Sequence, residues 1–459
     1  MRKIIAALLA LLMILSCPLL SGCSSAPVEP TAFCMGFGSC EIALPETDGP
    51  LYVAGYHQGW EIEGVLDLQR ANAVWIDTGD GGVLLIGIDC VGLSSATADS
   101  IRERLSGFCR RTGCTSVNVY STHDHAGVDT LGLWGDVAMD GKNPAFMENL
   151  ENAAVGAAET AYASRRDGEL YFGTAVTEGM QRDSREPVVY DPTLYQFRFI
   201  PSDGTPGLRL VVFSAHAESL RGANRMVSRD YPGVMADEIR ARTGDDVLFL
   251  PGAVGGLIMT SEQTEGEFDA VENRDLTGRR LADYALSIDG GDAEQMLPYE
   301  LKTARVDFDV PLDNTLFMYY RFLGILGNEM GQGKGTTGYS LRTSLTVLDL
   351  GGRTLCMLPG EIFPELVTGE GLTENDPEPL TAVAARHGVD GLIVTGLCND
   401  EIGYITVPSD YCVDESLPFI QEATDAAGRK HYEETNSVGR DAAYFIAEAL
   451  DKALGQLDK

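Results

Sequence analysis

The chain has 459 residues, 44% hydrophobic and 22% charged, so it can bury a large core; disorder, collagen and small disulfide scaffolds are excluded. Lys and Arg total 34 against 68 Asp and Glu, a net charge of −34 that repels phosphate backbones and excludes nucleic acid as an expected partner.

In chain order, Arg2 and Lys3 precede an uncharged apolar run from Ile4 to Leu20, the pattern of a secretory signal. Leu20-Ser21-Gly22-Cys23 follows and resembles the lipobox of bacterial lipoproteins. That resemblance implies a signal peptide over residues 1–22, a lipidated Cys23 and a small, polar tether to residue 32. An ordinary signal peptide cut nearby is the alternative. The rest of the chain, 33–459, is then expected on a bacterial cell surface or the periplasmic face of the membrane, held there by the lipid. No later run approaches the roughly 20 apolar residues of a membrane span.

Beyond the tether, strand-like and helix-like segments alternate. Ala73–Thr78, Val83–Asp89, Ser116–Tyr120, Leu194–Ile200, Leu208–Ser214 and Val247–Leu250 are short apolar runs bounded by turn formers, and predict strands. Thr97–Arg110, Pro144–Ala163, Tyr231–Arg242, Asp275–Ile288 and Arg440–Leu457 carry helical spacing. Segments Thr260–Asn273 and Gly369–Pro379 are rich in Gly and acids and predict long loops. The expected architecture is α/β, one large layered domain of mixed sheets and helices. Cys34/Cys40, Cys109/Cys114 and Cys398/Cys412 are close enough in sequence to pair, and eight reduced thiols are the alternative. No C-x-x-C spacing suggests a cysteine zinc site.

Two of only six histidines lie in Ser121-Thr122-His123-Asp124-His125, directly after the strand Val117–Tyr120. Residues i and i+2 of an extended chain share a side, so both imidazoles are expected to address one metal. Two incidental surface histidines are the alternative. His216 ends another apolar strand, and Pro359-Gly360-Glu361 follows a third, which places a carboxylate beside two nitrogens at strand ends. For Glu361 the alternative is an acid favoured by a helix dipole.

Ordered landmarks along the chain now carry a resemblance. They are Gly36-Phe37-Gly38, Gly55-Tyr56, Arg70-Ala71, Gly87-Ile88-Asp89, Thr122-His123-Asp124-His125, Ser214-Ala215-His216, Ser228 to Gly233, Pro359-Gly360-Glu361, Asn399 to Tyr404 and Tyr432-Glu433. In these the sequence resembles the neutral/alkaline, non-lysosomal ceramidases, zinc amidohydrolases that cleave the N-acyl bond of ceramide. The resemblance implies one Zn2+ held by His123, His216, Glu361 and Tyr404. It also implies that His125 assists proton transfer and that the Tyr432 hydroxyl faces the developing oxyanion. Attack by a zinc-bound hydroxide on the acyl carbon is the implied chemistry, and the implied partner is a small-molecule or lipid N-acyl substrate.

The chain also departs from that family. Gly255-Gly256-Leu257-Ile258-Met259 stands where ceramidases have a Gly-Asp-Val-Ser-type segment, and Val128 to Trp134 replaces a Gly-rich continuation. The family's C-terminal immunoglobulin-like domain is not expected here. Two other readings follow: a non-catalytic surface lipoprotein that binds its ligand on this scaffold, and a metallo-β-lactamase-fold hydrolase suggested by Asp77-Thr78-Gly79 with His123-Asp124-His125. The second lacks the Asp-His that its motif requires, since Gly127-Val128 occupy those positions.

Overall fold

Apolar side chains alternate between the two faces of the long strands, so each sheet must be covered on both sides. In the computed structural model, which describes residues 33–46, 49–79, 81–256, 258–260, 268–288, 293–296, 300–333 and 335–457, four layers satisfy that demand. The expected signal peptide, Cys23 and tether lie outside these residues. No helix among the described residues is long and apolar enough to cross a membrane.

The larger sheet contains β1 (Cys34–Glu41), β2 (Arg70–Asp77), β3 (Gly82–Ile88), β4 (Ser116–Ser121), β5 (Arg166–Val176), β6 (Thr193–Pro201), β7 (Leu208–Phe213) and β8 (Asp246–Pro251), in the order β8-β7-β6-β5-β1-β2-β3-β4. Its pairs are antiparallel except β3/β4 and β7/β8, one at each edge, which are parallel. A parallel pair needs a crossover. Helix α1 (Ser95–Arg104) lies in the first crossover, and α3 (Asp230–Thr243) makes the second; between them α2 (Pro144–Ala163) leads into β5.

One face of this sheet is covered by helices. Trp75, Leu84, Ile86 and Val119 pack with Phe146 and Leu150 of α2, while Val211, Phe213 and Phe249 pack with Tyr231 and Met235 of α3 and with Leu281 of α4 (Ala270–Ser287). Helix α2 lies directly on β1: a Cβ on Gly36 or Gly38 would come within 2.1 Å of a helix carbonyl.

The other face carries Val74, Ile76, Leu85, Leu210 and Leu248 against Leu348, Leu355, Met357 and Ile393 of the second sheet. That sheet contains β9 (Leu301–Leu312), β10 (Tyr339–Leu350), β11 (Arg353–Met357) and β13 (Ile393–Thr395), with β11/β13 parallel. Its outer face is closed by α5 (Ala442–Leu457) through Ile446, Leu450 and Leu454. The two-residue strands β12 (Glu361–Ile362) and β14 (Tyr404–Ile405) pair in parallel beside it. The layering is therefore helix, sheet, sheet, helix, an α/β fold as expected.

Each expected strand and helix is present, with two corrections, one to a helix and one to a loop. The predicted helix Thr97–Arg110 is broken: α1 stops at Arg104 and a separate turn of helix runs Ser106–Thr112. The first expected loop is shorter, since α4 starts at Ala270, capped by Asp269. All eight described cysteines are free thiols. Cys34 and Cys40 sit on one strand, roughly 20 Å apart, and cannot pair.

Helix α2 begins where Asn143 Oδ1 accepts from Ala145 N and Phe146 N at 3.1 Å each, with Pro144 at the first helical position. Asn143→Ala should cost about 1 kcal/mol, read as a lower denaturant midpoint with an unchanged slope. An unchanged midpoint would show that packing on β1 alone fixes this end.

Candidate metal centre

The carboxyl ends of parallel strands are where α/β folds gather their chemistry. Here β4 delivers His123 and His125, β7 delivers His216, and β11 leads into Glu361 on β12. Tyr404 on β14 faces Glu361 across a parallel pair. The segment after β13 joins the two sheets: Ser121 N donates to Leu397 O at 3.2 Å, Asn399 N to Val119 O at 2.6 Å, and Gly396 N to Pro251 O at 3.1 Å. The ends of β4 and β8 in the larger sheet are thereby tied to the segment that leads to Tyr404.

The paired histidines meet by a different route from the expected one. His123 has φ of +62°, a left-handed residue, so a turn rather than strand alternation brings the rings to 4.7 Å with planes at 85°. Such a backbone costs of order 1–3 kcal/mol. Three flanking amides offset it: Thr122 N to Ile88 O, Asp124 N to Cys90 O and His125 N to Ala217 O, at 2.9–3.0 Å. Gly55 leaves the room, since a Cβ there would lie 2.5 Å from His125 Nδ1.

His123 Nδ1 donates to Val91 O and His216 Nδ1 to Ile258 O, both at 2.7 Å. A carbonyl only accepts, so each ring carries a proton on Nδ1 and turns Nε2 inward, where it can take a proton or a metal, the usual arrangement of a metal-binding histidine. Glu361 Oε2 lies 3.1 Å from each Nε2, Tyr404 OH 3.5 Å from His216 Nε2, and His125 Nε2 3.3 Å from His123 Nε2. The Glu361 oxygen and the two Nε2 atoms come this close only with positive charge, a proton or a metal, among them. Donors around one tetrahedral ion, about 2.0–2.2 Å from it, lie roughly 3.3–3.6 Å from one another, near the 3.1–3.5 Å found here. The donor set fits a metal.

A ring nitrogen of each of His123, His125 and His216 lies within 4.8 Å of the others. The structure thus brings His125 into the cluster as a further candidate ligand, beside the four residues expected.

The electrostatics follow from burial and these contacts. Burial favours a neutral Glu361, yet the two imidazoles hold its carboxyl well below the ordinary range. Burial, then the neighbouring His123 and His216, push His125 well below its ordinary value, so it is neutral. Burial, then Glu361, raise the phenols of Tyr404 and Tyr432, which stay protonated at neutral pH.

A cavity of about 660 Å³ opens over the cluster, lined by His123, His125, Glu361, Tyr404 and Tyr432 on one side and by Val91, Leu131, Leu133, Trp134 and Phe317 on the other. The apolar wall is pinned by Asp129, whose buried carboxylate accepts from Leu131 N, Gly132 N and Trp134 N at 2.7–2.9 Å. Tyr432 is 42% exposed at the rim, its ring 6.5 Å from that of Tyr404.

Three contributors escaped the sequence reading. Val91 and Ile258 act through backbone carbonyls, which no side chain betrays, and Ile258 lies in the very segment that departs from the ceramidases. Arg185, 7% exposed, binds Glu433 at 2.7 Å, Glu434 at 2.8 Å and Asp410 at 3.0 Å, and so fixes the chain on both sides of Tyr432. Tyr56 was a landmark without a role; its hydroxyl bonds Glu218 and its ring lies 5.4 Å from that of His125.

No family model and no curated protein matches the sequence. Among solved structures, the chain is similar to a neutral ceramidase from Pseudomonas aeruginosa, with a TM-score of 0.73 and 16% identity over 94% of this chain and 75% of that one. A ceramidase complexed with C2 matches with a TM-score of 0.73 and 15% identity, over 93% of this chain and 75% of that one. The fold is that of the neutral ceramidases.

Proposed function

We propose that this protein is a zinc-dependent amide hydrolase that cleaves the N-acyl bond of an amphiphilic substrate. The observation that carries the reading is the pair of inward Nε2 atoms, each fixed by a backbone carbonyl and each 3.1 Å from the same Glu361 oxygen. His123, His216, Glu361 and Tyr404 would hold the ion. When bound, zinc polarises an acyl carbonyl and lowers the pKa of water toward neutrality.

The remaining chemistry belongs to the chain. Neutral His125 accepts a proton from the attacking water at Nε2 and returns it to the leaving amine. The protonated Tyr432 phenol donates to the oxygen on which charge develops. The wall of Val91, Leu131, Leu133 and Trp134 takes the acyl chain and keeps bulk water from the reacting atoms. A lipid anchor on Cys23, outside the described residues, would hold the enzyme at the bacterial surface, where such amphiphiles collect.

The test is incubation with a series of N-acyl amines, with and without a chelator, followed by mass spectrometry of the products. Free fatty acid and amine, lost on chelation and restored by zinc, are expected. Ligand captured but returned intact would favour the binding-protein reading instead. Gly55→Ala should lower turnover about 10²-fold, the cost of moving His125 by roughly 1 Å. Undiminished steady-state rates in that variant would remove His125 from the reaction.

A further inference from the structure

One of the three clustered histidines has no hydrogen bond to orient its outer nitrogen. His123 Nδ1 and His216 Nδ1 meet the carbonyls of Val91 and Ile258 at 2.7 Å, whereas His125 Nδ1 is buried with no hydrogen-bond partner among the described residues. Packing is left to set the angle of this ring. The Tyr56 ring stands edge-on to it, with centroids 5.4 Å apart and planes at 68°, an arrangement that aromatic quadrupoles favour. The backbone of Gly55 closes the Nδ1 edge, where a Cβ would fall 2.5 Å from the nitrogen.

Tyr56 is itself held at both ends. Its hydroxyl donates to Glu218 Oε2, and Glu218, 6% exposed, has its other oxygen 3.5 Å from an Arg221 nitrogen. Gly222 backs the ring, since a Cβ there would lie 3.0 Å from Tyr56 Cδ1. The turn that carries the ring is pinned by Ala54 N to Gly127 O at 3.0 Å and by Gly59 N to Trp134 O at 2.9 Å. At 38% exposure the ring buries too little to serve as a core residue. What its anchors fix is the face it presents to His125.

We propose that Tyr56 is a positioning residue: its ring, anchored through the hydroxyl on Glu218 and backed by Gly222, holds the His125 imidazole at the angle that serves proton transfer. The assignment rests on the hydrolase reading. Tyr56 acts through His125; its own hydroxyl is committed to Glu218 and takes no part in the transfer.

Steady-state kinetics on an N-acyl amine, with Tyr56→Leu and Tyr56→Phe beside wild type, test it. Leucine removes the ring, and kcat should fall about 10²-fold, the cost of a misplacement of roughly 1 Å, with KM within about threefold. Phenylalanine keeps the ring wedged against Gly222 and should recover kcat to within about tenfold of wild type. A wild-type kcat in Tyr56→Leu, a loss that falls on KM instead, or an equal loss in both variants overturns the assignment. With only six histidines in the chain, aromatic proton NMR gives a readout independent of turnover. His125→Gln assigns the His125 ring signals, which should move in Tyr56→Leu as the ring current is lost and stay near wild type in Tyr56→Phe. Unmoved signals in Tyr56→Leu overturn the assignment. Signals that move as expected in a protein that hydrolyses no N-acyl amine would leave Tyr56 positioning His125 and sink the hydrolase reading.

Discussion

His216→Ala is expected to abolish hydrolysis while the protein stays folded. The imidazole is 2% exposed, and its Nε2 supplies one of the two nitrogens fixed on Glu361. Loss of an outer partner of a metal ligand already costs about 10–100-fold in affinity or activity, and loss of the ligand itself should exceed that. Stability should change far less. Ile258 O, the acceptor of the ring, also accepts His216 N at 2.8 Å and keeps that bond in the variant. Turnover on an N-acyl substrate, beside a denaturant titration, reads both halves. Wild-type rates in a well-folded variant would remove His216 from the centre.

Arg185→Leu should have the largest effect on stability. The guanidinium is the shared partner of Glu433, Glu434 and Asp410 and also contacts His431 Nδ1 at 3.0 Å. Glu433 and Glu434 are almost wholly buried, so leucine would strand two carboxylates in a site of low dielectric. Breaking one side of a buried ion pair costs about 3–5 kcal/mol, where an exposed pair costs under about 1. Arg429 keeps its own bond to Asp410 at 2.6 Å, so the loss falls on the two glutamates. Because these directly follow Tyr432, turnover should fall with stability even where the variant remains folded. A wild-type denaturant midpoint would show that the cluster does not hold this segment.

Much of this architecture could be read from local pattern. Six strands of the larger sheet, β2, β3, β4, β6, β7 and β8, are β-branched or aromatic runs closed by Gly, Asp or Pro, whereas β1 and β5 carry no such run; His123, His216 and Glu361 stand out because each follows such a run directly. β9 was missed although Ala304, Val306, Phe308, Val310 and Leu312 alternate with period two. Its intervening Arg305, Asp307 and Asp309 face solvent and mask the run to any search for continuous apolarity. What stayed hidden is non-local. Arg185 meets Glu433 and Glu434 across 248 and 249 residues. Tyr56 looks like any aromatic in a turn until Glu218, 162 residues on, takes its hydroxyl. The left-handed turn at His123 has no signature either, since histidine is an ordinary occupant of extended chain.

The central claim is that the residues at these strand ends form a metal centre, and metal content tests it most directly. Elemental mass spectrometry on protein purified without chelators should find about one zinc per chain, and markedly less in His216→Ala prepared beside it. Wild type that neither retains zinc nor takes it up on addition would contradict the claim, and with it the hydrolase built on that centre.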